Sequence, residues 1–210
     1  MKIFVIRHGE TEWNREEIFR GKRDIPLNEN GRDQAKKTAI FLAPFRINRI
    51  YSSPLVRAKE TASIIGESHS VPVEIAEEFS DMNFGTWEGL SLREVQDLYP
   101  EEFNKWKNNP QGWKVEGAET LKDVRRRVFK GLKKLIKNAQ DNDKIALVTH
   151  RVICKIIAMI FLGIPNSGFW RVKFDPASVS IFEKNDVGFT TTLINGTFHL
   201  KDASFSYKDF

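Results

Sequence analysis

One cysteine, Cys154, stands in a chain of 210 residues. The chain therefore has no internal disulfide framework, no Cys-x-x-Cys pair and no cysteine-built zinc site, and an intracellular, cytoplasmic setting is expected. Long hydrophobic runs are missing as well: the longest, residues 156–164, is too short to cross a bilayer. The apolar N-terminus meets Arg7 and His8 before a signal-peptide core can develop. No G-x-x-x-x-G-K-[ST] or G-x-G-x-x-G is present, so nothing supports nucleotide binding through a glycine-rich loop. Histidine is scarce, with four in all and neither His-x-His nor His-Glu-x-x-His among them. No linker, low-complexity tract or solenoid repeat interrupts the chain.

What is there reads as an ordinary globular protein, with 40% hydrophobic and 29% charged residues and 16 phenylalanines. Lys plus Arg is 33 against 28 acidic residues, a net charge of +5. That excess suits anionic small molecules as well as nucleic acid. The length fits a single domain, residues 1–210, able to bury a sizeable core.

Residues 2–6 form a nearly continuous apolar run, the mark of a strand buried on both faces of a parallel sheet. Helical character follows over residues 30–42, a short strand over 49–51 and a helix over 55–67, with Ser52, Ser53 and Pro54 as its cap and first turn. Residues 71–75 read as a strand and 79–90 as a loop. The longest predicted helix covers 120–139, its buried stripe made by Leu121, Val124, Val128, Leu132 and Leu135. Its basic residues, including Arg125, Arg126 and Arg127, read as a solvated face. A second apolar strand at 144–148 runs into Thr149 and His150, followed by an apolar helix over 152–162. Strands at 179–183 and 189–194, with a weaker one at 197–200, close the chain. The alternation predicts an α/β fold, a three-layer α/β/α sandwich with a mostly parallel central sheet.

Ligands of such sheets bind outside the carboxyl ends of the strands. Three predicted strands deliver Arg7 and His8, then Ser52, Ser53 and Arg57, then Thr149 and His150 to that edge. Two guanidiniums and two imidazoles gathered there repel one another unless an anion lies between them, and phosphate suits the planar fork of arginine donors. The same arginines oppose a bound cation, so no metal is expected.

The ordered set Arg7-His8-Gly9-Glu10-Thr11-Glu12-Trp13-Asn14, then Gly21, Asp24, Pro26-Leu27 and Gly31, resembles the N-terminal signature of the histidine phosphatase superfamily, which includes the cofactor-dependent phosphoglycerate mutases. Ser52-Ser53-Pro54 with Arg57, Phe84-Gly85 with Trp87-Glu88-Gly89, Gly117 with Glu119-Thr120, and Thr149-His150 continue the likeness in family order over most of the chain. The resemblance implies a phosphoglycerate mutase-like fold and a covalent mechanism without a cofactor. His8 would attack phosphorus and become phosphohistidine while Arg7, Arg57 and His150 hold the phosphoryl oxygens. Asn14 and Gly21 match positions that line the pocket in relatives.

Two departures stand out. Relatives place Glu where this chain has Asp81, one methylene shorter, as the proton donor; Glu10, Glu78 and Glu88 are the substitutes if Asp81 does not serve. Arg20 precedes the pocket glycine where many relatives carry a small or amide residue, and its guanidinium reads either as an added contact to an anionic substrate or as a solvated surface group. By likeness, residues 79–117 form a lid-like insertion that contains Trp106 and Trp113, with core packing as the alternative for both indoles. His199, near the C-terminus, is a specificity candidate, with terminal disorder expected after residue 201.

Mutases of that family carry a longer stretch between the acid and the second histidine than Asp81 to His150 here, so the resemblance implies a phosphatase and not a mutase. The expected activity is metal-independent hydrolysis of a small-metabolite phosphate ester, with α-ribazole 5′-phosphate and phosphoserine as candidates. The alternatives are a phosphoglycerate mutase and, from another class, a non-catalytic phosphate-ester-binding or scaffold module. Nucleic acid and membrane partners are not expected. Residues 156–164 with Phe169 and Trp170 pack internally or form a homodimer face.

Overall fold

The structure is a computed structural model and describes residues 1–200. The stretch after residue 200, including the terminal disorder expected there, lies outside the described residues. Six strands form one sheet: β1 (Lys2–Arg7), β2 (Arg49–Ser52), β3 (Val73–Ile75), β4 (Lys144–Thr149), β5 (Val179–Asn185) and β6 (Gly188–Gly196). Their order is β3-β2-β4-β1-β5-β6. β1 lies parallel to β4, and β2 parallel to both β4 and β3, whereas β5 runs antiparallel to β1 and to β6.

The alternation of side chains along each strand fills two cores, one on each face of the sheet. Ile3, Val5, Tyr51, Ile145, Leu147 and Phe182 enter one core, and Phe4, Ile6, Ile50, Ala146, Val148 and Ile181 the other. After β1 comes α1 (Glu12–Arg15), a four-residue helix that was not expected; α2 (Glu29–Leu42) and α3 (Val56–His69) cover the second face, with Ala39, Leu42, Ala58, Ala62 and Ile65 in its core. On the first face lie α6 (Leu121–Lys137) and α7 (Arg151–Phe161). The result is the expected three-layer α/β/α sandwich.

The stripe predicted for α6 is buried at all five positions. Residues 156–159 and Phe169 are also buried within the chain, and Lys155 lies under Phe169 and Trp170 with its ammonium 4.8 and 4.2 Å from their ring centroids. Among the described residues, no helix is long and apolar enough to cross a membrane.

Several boundaries differ from expectation for local reasons. α2 starts at Glu29 because the Asn28 side chain accepts from the Gly31 amide at 2.8 Å. α3 starts at Val56, so Pro54 precedes it, and the Val56 amide donates to Asp24 Oδ1 at 2.6 Å. A side chain from a distant loop thus caps a helix for which Ser52 and Ser53 were the expected caps. Residues 198–200 form a 3-10 turn and not a strand: β5 begins at Val179, which pairs with Gly196, so the residues beyond find no partner in it.

Two further short helices went unpredicted, α4 (Leu92–Leu98) and α5 (Pro100–Asn108). Each carries a start signal: Ser91 and Glu94 form a reciprocal cap, and Pro100 opens the first turn of α5. With the neighbouring loops they pack Phe84, Trp87, Phe103, Trp106 and Trp113 into one aromatic cluster; Trp87 and Trp106 each lie 4.9 Å, centroid to centroid, from Trp113. All three indoles are fully buried.

Candidate active site

The carboxyl ends of β1, β2 and β4 meet on one side of the sheet, since Arg7 is in register with Thr149 and Ser52 with Val148. Arg7 and His8 leave β1 there, Ser53 leaves β2, and His150 leaves β4 as the residue preceding α7. Arg57 lies in the first turn of α3. The His8 and His150 rings stand 5.2 Å apart, and both histidines, Arg7 and Arg57 are buried.

The loop after β1 is held from several directions. His8 donates its backbone amide to Thr149 O at 2.9 Å, and the Gly9 amide donates to Thr61 Oγ1 at 3.1 Å. Gly9 and Gly31 are required by close approach. A Cβ at Gly9 would come 2.4 Å from the Gly31 carbonyl oxygen, and one at Gly31 would come 2.1 Å from the Glu10 carbonyl oxygen. The N-terminus of α2 can therefore sit directly against the loop.

His8 Nδ1 lies 2.6 Å from the carbonyl oxygen of Gly9. A carbonyl only accepts, so Nδ1 carries the proton and Nε2 is left with its lone pair. Burial, followed by the charges of Arg57, His150, Arg7 and Arg20, holds the His8 pKa well below the ordinary imidazole value. His150 is likewise held well below it, by burial first and then by Arg57, Arg20, Arg127 and Arg7. His150 Nε2 contacts Ser53 Oγ at 2.6 Å. Both rings are neutral at neutral pH.

Arg57 uses its guanidinium as a brace: Nη1 donates to Arg23 O at 2.8 Å, and Nη2 donates to Gly21 O at 2.8 Å and to Asp81 Oδ2 at 3.0 Å. Asp81 Oδ1 accepts from the Met82 amide at 2.9 Å, and Oδ2 stands 3.6 Å from His150 Nδ1. The cleft is lined by His8, Gly21, Asp81, Arg20 and Arg151, with an apolar wall of Ile18, Phe19, Phe84 and Val152. Burial together with Arg7, Arg57 and Arg151 depresses the pKa of Arg20. Its charge is thus crowded by three others of the same sign.

Gly21 has φ +50°, and a Cβ there would come 1.8 Å from Glu88 Oε1. That oxygen accepts from the amides of Lys22 at 2.9 Å and Phe84 at 3.1 Å, joining the Gly21 turn to the Asp81–Phe84 segment. The other acidic candidates are engaged elsewhere: Glu10 accepts from Asn28 Nδ2 at 2.9 Å, and Glu78 pairs with Lys134 at 3.7 Å.

Asn14 lies behind the cleft, where its Oδ1 accepts from the Thr11 amide at 3.0 Å and the Thr11 hydroxyl at 2.9 Å. His199 is placed beside α2, with Nε2 3.1 Å from Thr38 Oγ1 and its ring stacked on Phe41. Neither is among the residues that line the cleft. The sequence analysis did not single out Arg151, although it directly follows His150 at a strand end, nor Arg127, which it read as solvated. Arg127 pairs with Glu119 at 2.8 Å and bonds the carbonyls of the Asp81 loop.

Comparison with known proteins agrees with this geometry. The model of the histidine phosphatase superfamily (branch 1) matches residues 3–197. Phosphoserine phosphatase 1 of Hydrogenobacter thermophilus is 32% identical over 200 residues, covering 95% of this chain and 94% of that protein. The adenosylcobalamin/α-ribazole phosphatase of Escherichia coli is 26% identical over 195 residues, 93% of this chain and 96% of that one. Among solved structures, Bacillus stearothermophilus YhfR superposes with a TM-score of 0.90 at 27% identity, covering 95% of this chain and 98% of that one. The family model matched over residues 3–197, with a phosphatase relative along nearly the whole chain, places the protein in the histidine phosphatase superfamily, as one of its phosphatases.

Proposed function

We propose that the protein is a metal-independent phosphomonoesterase that hydrolyses a small-metabolite phosphate ester through a phosphohistidine at His8. The observation that carries this reading is the Nδ1 contact of His8 with the Gly9 carbonyl, which leaves a neutral, nucleophilic Nε2 among arginines. Nε2 attacks phosphorus, the bond from phosphorus to the ester oxygen breaks, and the proton carried by the ester monoanion passes through the Asp81 carboxylate to the departing alkoxide. Water then attacks the phosphohistidine, Asp81 takes a proton from it and passes it to the inorganic phosphate, which leaves as His8 is restored. Arg7, Arg57 and His150 hold the phosphoryl oxygens as charge builds on them. Gly21 supplies the turn that closes the pocket, and Asn14 fixes the nucleophile loop through Thr11.

The cleft favours an ester with a second anionic group. Two cations line the cleft, Arg20 and Arg151, beside one lining carboxylate, Asp81, which already bonds Arg57, and the charge of Arg20 is crowded by Arg7, Arg57 and Arg151, so a second anion is drawn to it. Phosphoserine, with its carboxylate, therefore ranks ahead of α-ribazole 5′-phosphate. Residues 79–117 act as a lid over the cleft through Phe84, and His199 steadies α2 through Thr38 and Phe41. The cytoplasm is the setting that fits these substrates.

The test is phosphate release in EDTA from phosphoserine, phosphoethanolamine, α-ribazole 5′-phosphate and 3-phosphoglycerate, by the wild type, His8→Ala and Arg20→Gln. The reading expects phosphoserine to outpace phosphoethanolamine, His8→Ala to abolish turnover, and Arg20→Gln to narrow the ratio of the two esters. Turnover that persists in His8→Ala would contradict the covalent route. Equal turnover of the two esters would contradict the second anionic group.

A further inference from the structure

We infer that Arg127, locked by Glu119, is the positioning residue for the proton donor; the inference rests on the role proposed above for Asp81. Arg127 is on α6, in a run of basic residues that would ordinarily face water. Its guanidinium instead turns onto the loop that bears Asp81. Nε and Nη2 grip the two carboxylate oxygens of Glu119 at 2.8 and 3.0 Å. Nη1 donates to the carbonyls of Glu78 at 2.9 Å and Ser80 at 2.7 Å, and Nη2 donates to the carbonyl of Asp81 itself at 2.9 Å. An arginine has five N–H donors, and these five bonds use them all.

Glu119 completes the clamp. Its Oε2 also accepts from the Asn83 amide at 2.9 Å, and its own amide donates to the Asn83 carbonyl at 2.9 Å. Thr149, one residue before His150, donates its hydroxyl to the Phe79 carbonyl at 2.6 Å. Each carbonyl from residue 78 to residue 81 is therefore tied either to Arg127 or to the strand that carries His150. One turn further along the same face, Gly131 lets α6 approach, since a Cβ there would come 2.7 Å from Glu78 Cβ.

The geometry fits a positioning role better than a general stabilising one. The bonds converge on the main chain of the residue whose carboxylate must reach the ester oxygen. Asp81 is also a short side chain, so its reach depends on where its backbone is held. No other side chain can replace the arrangement: lysine lacks the planar fork that meets a carboxylate and three carbonyls together.

The experiment compares kcat/KM for phosphoserine, whose alkoxide must be protonated as it leaves, with that for p-nitrophenyl phosphate, whose phenolate leaves without a proton. Arg127→Lys, Arg127→Met and Glu119→Gln are each assayed alone and on an Asp81→Asn background, with folding checked by circular dichroism. A misplaced proton donor lowers the phosphoserine value by about tenfold more than the p-nitrophenyl phosphate value. On the Asp81→Asn background the same substitutions add nothing to that difference. Arg127→Lys and Glu119→Gln keep the test decisive if Arg127→Met does not fold. Equal losses for the two esters, or undiminished losses without Asp81, overturn the positioning role alone. An Asp81→Asn enzyme that treats both esters alike overturns the assignment of Asp81, and the role of Arg127 falls with it.

Discussion

Replacing Arg57 with methionine separates three contributions that the structure combines in one side chain. The guanidinium is fully buried and makes three hydrogen bonds, to the carbonyls of Gly21 and Arg23 and to Asp81. Removing one member of a buried ion pair typically costs about 3–5 kcal/mol. Relief of the repulsion between Arg57 and Arg20 opposes that loss. A net loss of about 3 kcal/mol leaves most domains folded, so the variant can be assayed. Losing one preorganised cation at the phosphoryl group lowers kcat by about 10²–10³-fold. The third effect is the most specific. After burial, Arg57 is the leading cause of the low pKa of both His8 and His150, so Arg57→Met raises both. Because the nucleophile must be neutral, activity falls as the pH drops through the His8 pKa, and the acid limb of kcat/KM moves to higher pH in the variant. Arg57→Lys keeps the charge and loses the fork, so its rate falls while its acid limb stays near that of the wild type. Profiles of kcat/KM from acidic to neutral pH, with p-nitrophenyl phosphate as substrate, check both variants. An Arg57→Met limb at the wild-type position refutes the electrostatic account of His8.

Acid should weaken the fold through the same histidines. Their folded pKa values lie below the unfolded value, so they cost no stability above about pH 6.5 and destabilise as the pH falls below it, by up to about 1.4 kcal/mol per pH unit for each ring. Thermal melts across that range should show the decline, and His150→Gln should flatten it; an unchanged slope would place the acid sensitivity elsewhere. Gly21→Ala forces a Cβ into Glu88 and a left-handed conformation onto alanine, costing about 1–2 kcal/mol for the backbone alone, before the bonds of Glu88 to Lys22 and Phe84 are disturbed. Denaturant unfolding should show at least that loss, together with a raised KM; wild-type values for both would refute the packing argument.

Much of the candidate site was legible because the strands end in the residues that the fold gathers there. The apolar runs before His8 and His150 locate two neighbouring strand ends, and the turn after β2 locates Arg57, so the strand-end rule brings these residues together. Asp81 came from its place relative to Phe84-Gly85, a family pattern that no periodicity carries. Arg127 was illegible for a physical reason: a cation on an exposed helix face has the same sequence pattern whether its guanidinium meets water or five acceptors. The same holds for Asp24, which caps α3 from a loop more than a helix length away in sequence. Helices α4 and α5 carried start signals, yet their apolar residues, mostly aromatic and unevenly spaced, lacked the period that marked α6.

The central claim is that His8 itself carries the phosphoryl group. Quenching a turnover of labelled phosphoserine in alkali and mapping the peptides tests it directly, since a phosphohistidine survives base and is lost in acid. The account predicts an acid-labile label on the peptide containing His8, formed within the first turnover, absent in His8→Ala and increased in amount in Asp81→Asn assayed with p-nitrophenyl phosphate, where water activation is impaired. Rapid phosphate release with no label on that peptide at any quench time, or a label on another residue, would contradict it.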